Sequence, residues 1–257
     1  MIKKQNKDIT PIVLGTVDST NSVAKAAAVE GAPEGTVIIA NRQTAGRGRL
    51  GRSFVSKSGG VYMSLVLRPD ISPADTLFIT VAAAVAAARA IEAVSNQKCE
   101  IKWVNDIYIN DKKVCGILTE GEINADGTLN FAVLGVGINL FKPQGGFPSN
   151  LPLASSVFNK KGIFLNKNVQ KSKIIAEFCK NFFNFYKNLK KKDVIKEYQS
   201  RSFLTNKQIT YTKNGKTQSA VVLGIDDNAN LIVKGEGDTE ILSHGEIQIV
   251  GMEQPAV

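Results

Sequence analysis

The chain has 257 residues, 43% of them hydrophobic and 21% charged, with a net charge of +9; this excludes a disordered or fibrous chain and leaves room for one substantial domain with a small companion. Cys99, Cys115 and Cys179 are odd in number and lack CxxC or Cys/His spacing, which excludes a disulfide framework and a structural zinc site and fits a reducing, cytoplasmic setting. The opening MIKKQNKDIT has no apolar core, so a secretory leader is not expected.

Ile12-Val13-Leu14 predicts a strand, followed by a helix from about Thr20 to Glu30 that Asp18 or Ser19 caps and Gly31 and Pro33 end. Val37 to Ala40 and Val61 to Leu67 read as the next strands. The alanine-rich run from about Asp75 to Val94 is too long for a strand and predicts a helix. Thr80, Arg89 and Glu92 interrupt its apolar character, so it reads as a packed helix and not as a membrane span. Strands follow at Glu100 to Trp103, Ile107 to Ile109, Val114 to Glu120 and Asn130 to Val136, with turns at Asn110-Asp111 and Ala125-Asp126-Gly127. Turns this short force antiparallel pairing, so the sheet is mixed and a purely parallel, doubly wound fold is disfavoured.

Phe141 to Leu153 holds three prolines and two adjacent glycines and reads as a loop. Asn168 is placed to cap a helix with apolar residues at 174, 175, 178, 179, 182, 183, 186 and 189. Its aromatics, Phe178, Phe182, Phe183 and Tyr186, fit core packing better than a base-stacking surface. After a short helix near Asp193 to Gln199 the pattern changes. From about Lys207, short β-runs broken at Lys213-Asn214-Gly215, Asp226-Asp227-Asn228 and Gly235-Glu236-Gly237 predict a small β-barrel. The expected architecture is α+β: a mixed, largely antiparallel sheet flanked by helices over residues 1–206, then a β domain over 207–257. Between Lys160 and Lys216, fifteen Lys or Arg face only Glu177, Asp193 and Glu197. Such a face suits nucleic acid, a membrane surface or an acidic protein, and equally a merely solvated surface.

The strongest local feature is Gln43-Thr44-Ala45-Gly46-Arg47-Gly48-Arg49-Leu50-Gly51-Arg52. Gly46, Gly48 and Gly51 satisfy GxGxxG, but a dinucleotide site needs a helix to start there. Arg52-Ser53-Phe54 and Lys57-Ser58-Gly59-Gly60 form no helix. What remains is a glycine loop carrying three guanidinium groups, suited to phosphate oxygens, or else an exposed nucleic-acid tract. Next comes Lys102-Trp103-Val104-Asn105-Asp106, then Lys113-Val114-Cys115-Gly116-Ile117-Leu118. Lys102 and Trp103 point to opposite faces of a strand, and Lys113 starts a strand across a turn from Asn105 and Asp106. Two lysines near an arginine loop make an anion site. The one histidine, His244, falls in the β-region and no nucleophilic triad is visible, so catalysis is expected from positioning and charge stabilisation.

Ser19-Thr20-Asn21, Gln43 to Arg52, Lys102 to Asp106, Lys113 to Leu118 and Gly135-Val136-Gly137-Ile138-Asn139 occur in the order seen in biotin–protein ligases, and the chain resembles that family over nearly its whole length. Val104 stands where the family usually has proline. The resemblance implies a catalytic domain like that of class II aminoacyl-tRNA synthetases with a C-terminal SH3-like barrel. Without a helix-turn-helix before Ser19, it implies the short form, an enzyme and not a repressor. The implied reaction uses ATP, with Mg²⁺, to convert biotin to biotinyl-5'-AMP, then biotinylates a lysine of a biotin carboxyl carrier domain. The enzyme would be a monomer or weak homodimer binding neither specific DNA nor membrane.

By the same resemblance, Ser19, Thr20, Asn21, Gln43, Gly46, Arg47, Lys113 and Gly116 would bind biotin. Arg47, Arg49, Lys102, Asn105, Asp106, Lys113 and Asn139 would bind ATP or the adenylate, with no protein-held metal. Lys113 and Arg49 would be catalytic, Lys113 bridging the biotin carboxyl and the phosphate, and Arg47 and Arg49 closing the loop. Gly116, Gly135 and Gly137 would admit the ligand close to the backbone, and the loop after Asn139 would cover adenine. A lipoate–protein ligase of the same superfamily is the nearest alternative, although such enzymes carry a histidine-containing glycine motif and this chain has no histidine before 244. A nucleic-acid-binding protein using the Arg/Gly loop is the alternative from another class.

Overall fold

The structure, a computed structural model, describes residues 10–159, 166–190, 192–213 and 215–252. The start of the lysine-rich segment, Lys191 and the turn residue Asn214 lie outside the described residues.

Seven strands form one sheet: β1 (Thr10–Val17), β2 (Thr36–Gln43), β3 (Val61–Leu67), β4 (Glu100–Lys102), β5 (Asp106–Ile109), β6 (Lys112–Ile123) and β7 (Leu129–Ile138). Their spatial order is β1-β2-β3-β7-β6-β5-β4. Only β1 and β2 run parallel, and α1 (Thr20–Val29) makes the crossover between them. Every other pair is antiparallel, as the short turns require.

The helix α2 (Thr76–Ser95) packs on one face of the sheet. Ala82 to Ala88 are wholly buried, because α2 also touches α3 (Lys167–Tyr186) and α4 (Lys192–Arg201) on its far side. Small side chains on every face let one helix lie between a sheet and two other helices. Phe178 and Phe182 of α3 are buried and stacked with centroids 5.7 Å apart, so the aromatic stripe is core. Burying each ring is worth about 1.5–3 kcal/mol. On the opposite face Ala24 and Ala28 of α1 pack on Ile38, Val66, Phe131 and Val133.

Two expected caps differ. Asn166, not Asn168, caps α3, its side chain accepting from the amides of Asn168 and Val169. Ser19 precedes α1 but makes no side-chain cap bond, which leaves its hydroxyl at the cavity described below. The loop expected over Phe141 to Leu153 is irregular and continues to residue 159, tied back by bonds such as Val157 N–H to Asn139 O.

The chain's last strands, β8 (Gln208–Lys213), β9 (Lys216–Ile225), β10 (Leu231–Lys234), β11 (Thr239–Leu242) and β12 (Ile247–Ile249), form an antiparallel sheet ordered β11-β10-β9-β8-β12. Its apolar face, with Ile209, Val222, Leu231 and Val233, joins the same hydrophobic cluster as α2 and β5. The Trp103 indole N–H donates to Ala229 O at 2.8 Å, and Gln199 Nε2 donates to Ile225 O at 2.9 Å. Arg201 bonds Glu92 and Glu197, linking α2 to α4, and Arg89 also pairs with Glu197.

Cys99, Cys115 and Cys179 are buried free thiols. Burial raises all three, Cys99 to about 12 and Cys179 to about 11.

Candidate active site

The site forms where the N-terminus of α1, the loop after β2 and the middle of β6 and β7 converge. Gly116 and Gly137 pair across β6 and β7, and Asn21 lies against Gly135, where a Cβ would collide with Asn21 Oδ1. A Cβ on Gly116 or Gly137 would press on the Phe54 ring, 3.1 Å from Cε2 in the first case and 2.7 Å from Cε1 in the second. These glycines are a floor shaped for close approach.

Two adjoining cavities follow. The first, about 110 Å³, is lined by Ser19, Thr20, Asn21, Gln43, Arg47, Arg49, Asn105, Gly116 and the glycine floor. The second, about 150 Å³, is lined by Lys102, Tyr108 and Asn139 together with Phe147, Leu151 and Leu153 of the long loop. Arg52, Ser53, Phe54, Asp106 and Lys113 line both. The structure therefore brings together all but one of the residues that the sequence nominates. Gly46 lines neither cavity. Its place is behind the loop, where its carbonyl accepts from Phe54 N–H and a Cβ would strike Phe54 O and Ser56 Oγ.

Lys113 Nζ lies 2.7 Å from Asp106 Oδ2, across the β5–β6 register that pairs Asp106 with Gly116. The other oxygen, Asp106 Oδ1, is buried without a hydrogen-bond partner. Lys102 is 7% exposed; burial lowers its pKa, with Asp106 pulling up and Lys113 pushing down. Asn105 Nδ2 donates to Ile117 O at 2.6 Å, which fixes the turn onto β6. Tyr198 OH, wholly buried on α4, donates to Val104 O at 2.9 Å. The Trp103–Val104 peptide is cis.

The Arg/Gly loop contains one short helical turn at Arg49–Gly51, with Leu50 at φ 52° and exposed; no phosphate-binding helix begins there. Two of its three guanidinium groups already have partners. Arg47 Nη1 is 3.5 Å from Glu120 Oε1, and Arg52 Nη2 is 2.5 Å from Glu246 Oε2. Sequence reasoning missed Phe54, Glu120 and Glu246. Phe54 carried the signal of an aromatic just past a glycine loop. Glu246 is 194 residues from Arg52, and nothing local marks it. His244 is exposed, its Nδ1 3.0 Å from Ser243 Oγ, and lines neither cavity.

Residues 13–139, which carry most of this surface, match the model of the Biotin/lipoate A/B protein ligase family. The chain is 36% identical over 231 residues to the bifunctional ligase/repressor BirA of Bacillus subtilis, covering 88% of this chain and 70% of that protein. It is 27% identical over 243 residues to the biotin–[acetyl-CoA-carboxylase] ligase of Mycobacterium tuberculosis, covering 91% and 87%. The solved biotin protein ligase of Aquifex aeolicus, in complex with biotin and ATP, superposes with a TM-score of 0.75 at 23% identity, over 93% of this chain and 98% of that one. Within the family of the matching model, the chain belongs to the biotin–protein ligases.

Proposed function

We propose that Lys113 is the charge at which two substrates meet in an enzyme that activates biotin with ATP and then biotinylates a carrier lysine. The chain is a biotin–protein ligase, an ATP-dependent ligase. The observation that carries the site reading is that Lys113 and Asp106 line both cavities, so a group in each can reach one ammonium. Biotin would occupy the first cavity, over the glycine floor, and the nucleotide the second, under the loop at Phe147 and Leu151.

In the first step a biotin carboxylate oxygen attacks the α-phosphorus, forming an O–P bond while pyrophosphate leaves. Negative charge gathers between the two cavities, where Lys113 stabilises it. Lys102, in a site drier than water, supports the polyphosphate. In the second step the carrier's lysine amine attacks the acyl carbon and AMP leaves. Arg47 and Arg49 hold the loop over the mixed anhydride between the steps and exclude water from it. Mg²⁺ fits as an ion travelling with ATP: Asn105 and Asp106, whose Oδ1 is buried without a partner, would orient the phosphates or the water around it, and the ion would neutralise phosphate charge.

We assign residues 1–206 to the catalytic unit and 207–257 to a β unit that supports the nucleotide end. The acceptor would be a biotin carboxyl carrier domain, the enzyme a monomer or weak homodimer, and the setting the cytoplasm. Helix α2 is long and apolar enough to cross a membrane, but 72% of that stretch is buried in the core. The direct test supplies purified protein with biotin, ATP and Mg²⁺ and measures pyrophosphate, then adds a carrier domain and weighs it. Pyrophosphate release with lipoate but not biotin would sink the reading in favour of a lipoate ligase.

A further inference from the structure

A chain of hydrogen bonds runs behind the first cavity through residues that touch no reacting atom. Glu120 Oε2 on β6 accepts from Asn21 Nδ2 at 2.7 Å, while its other oxygen faces Arg47. Asn21 Oδ1 accepts from Ser64 Oγ at 2.6 Å; Ser64, on β3, is wholly buried, and its Oγ lies 2.8 Å from Thr20 Oγ1. Thr20 donates to Gln43 Oε1 from its amide at 2.7 Å, and its single hydroxyl proton, with Ser64 Oγ at 2.8 Å and Gln43 Oε1 at 3.0 Å, goes to Ser64 Oγ when Ser64 donates to Asn21. Gln43 Nε2 donates to Ser56 Oγ at 2.6 Å, and Ser56 Oγ donates to Phe54 O at 2.9 Å.

The two ends of this chain set its direction. A carboxylate only accepts, so Asn21 turns its NH₂ to Glu120 and its oxygen to Ser64. A backbone carbonyl also only accepts, so Ser56 gives its proton to Phe54 O and receives from Gln43. The Gln43 oxygen accepts from the Thr20 amide. Asn21 and Gln43 each keep one uncommitted N–H, and both side chains line the cavity. A pocket whose fixed amides offer N–H groups complements an acceptor, such as the carbonyl oxygen of a cyclic urea.

We propose that Glu120 is a specificity-determining positioning residue: by fixing the Asn21 amide it makes the first cavity a donor surface, which admits a ring bearing a carbonyl acceptor and disfavours the same ring bearing a donor there. The inference rests on reading that cavity as the biotin site. Its probe is 2-iminobiotin, in which a protonated imine replaces the urea oxygen at neutral pH. Calorimetry at pH 7 compares biotin with 2-iminobiotin on wild type, Glu120→Gln and Ser64→Ala, alongside thermal midpoints.

Glutamine can donate as well as accept, so it frees the Asn21 amide to turn. We expect wild type to prefer biotin, and Glu120→Gln to narrow the preference about tenfold, mainly by weakening biotin. Ser64→Ala breaks the next bond and shifts the ratio the same way; it decides the matter if Glu120→Gln does not fold. A fold defect alone would weaken both ligands equally, and that result, or an unchanged ratio, overturns the inference while leaving the biotin site standing. Wild type that binds neither ligand overturns both.

Discussion

Lys102 and Lys113 reach the same site with different access to water. Lys113 is about a third exposed and paired with Asp106, whereas Lys102 is buried and its pKa is lowered by that burial first. A polyphosphate favours the charged form, so ATP binding should take up a proton once pH exceeds the lowered pKa of Lys102. ATP affinity should therefore fall as pH rises from that value toward the ordinary 10.5, and Lys102→Gln should lose this limb of the profile. An unaltered limb in a binding titration across pH would remove Lys102 from the phosphate site. Lys113→Gln should slow single-turnover adenylation by about 10²–10³-fold, as loss of a charge-stabilising donor does, with biotin binding less affected. Arg49→Gly should release biotinyl-AMP faster and label bystander albumin more than wild type; equal labelling with an unchanged off-rate would exclude retention by the loop. That Lys113 and Asp106 share one pocket was legible because a strand, a two-residue turn and a strand leave few ways to place them, but their ion pair was not. Glu120 and Glu246 were not, since their partners are set by sheet register and by the docking of distant strands.

At the scale of elements, the turn after β4 is clamped from three sides. Asn105 bonds β6, Tyr198 of α4 bonds Val104 O, and Trp103 bonds Ala229 beyond β9. Tyr198→Phe would leave a buried carbonyl unpaired, at about 1–3 kcal/mol. The expected result is a lower thermal midpoint with a raised KM for ATP and little change in KM for biotin, because the turn carries Lys102 and Asp106. Equal changes in both KM values would point to a general loosening instead. Strand β3 and helix α2 followed directly from composition and length. β1 runs longer than its apolar triplet, because an edge strand paired on one side needs little apolar character to hold its place. The α3 cap was misplaced by two residues because Asn166 and Asn168 both flank Lys167, and only backbone geometry chooses between them.

For the whole molecule, the C-terminal sheet is joined to the catalytic region by more than the chain. The Trp103–Ala229 bond, the Arg52–Glu246 pair and a shared apolar cluster all cross from one to the other. Cutting after Asn206 removes these contacts and takes Glu246, but no other residue, from the first cavity. Biotin binding by calorimetry should largely survive, while carrier ligation should fall; full-rate ligation by the shortened chain would show the β unit dispensable. The break in pattern near Lys207 was visible in the sequence as a change in turn spacing, but its bonds to Trp103 and Arg52 were not, since they join residues over a hundred positions apart.

The buried cysteines have a practical corollary. With burial holding all three thiols protonated at neutral pH, thiol-reactive dyes should leave the native protein essentially unmodified. A cysteine substituted for Leu50, whose side chain is 74% exposed at the tip of the Arg/Gly loop, would then be the single reactive handle. One fluorophore there would report the loop's motion in real time, with no native cysteine needing removal.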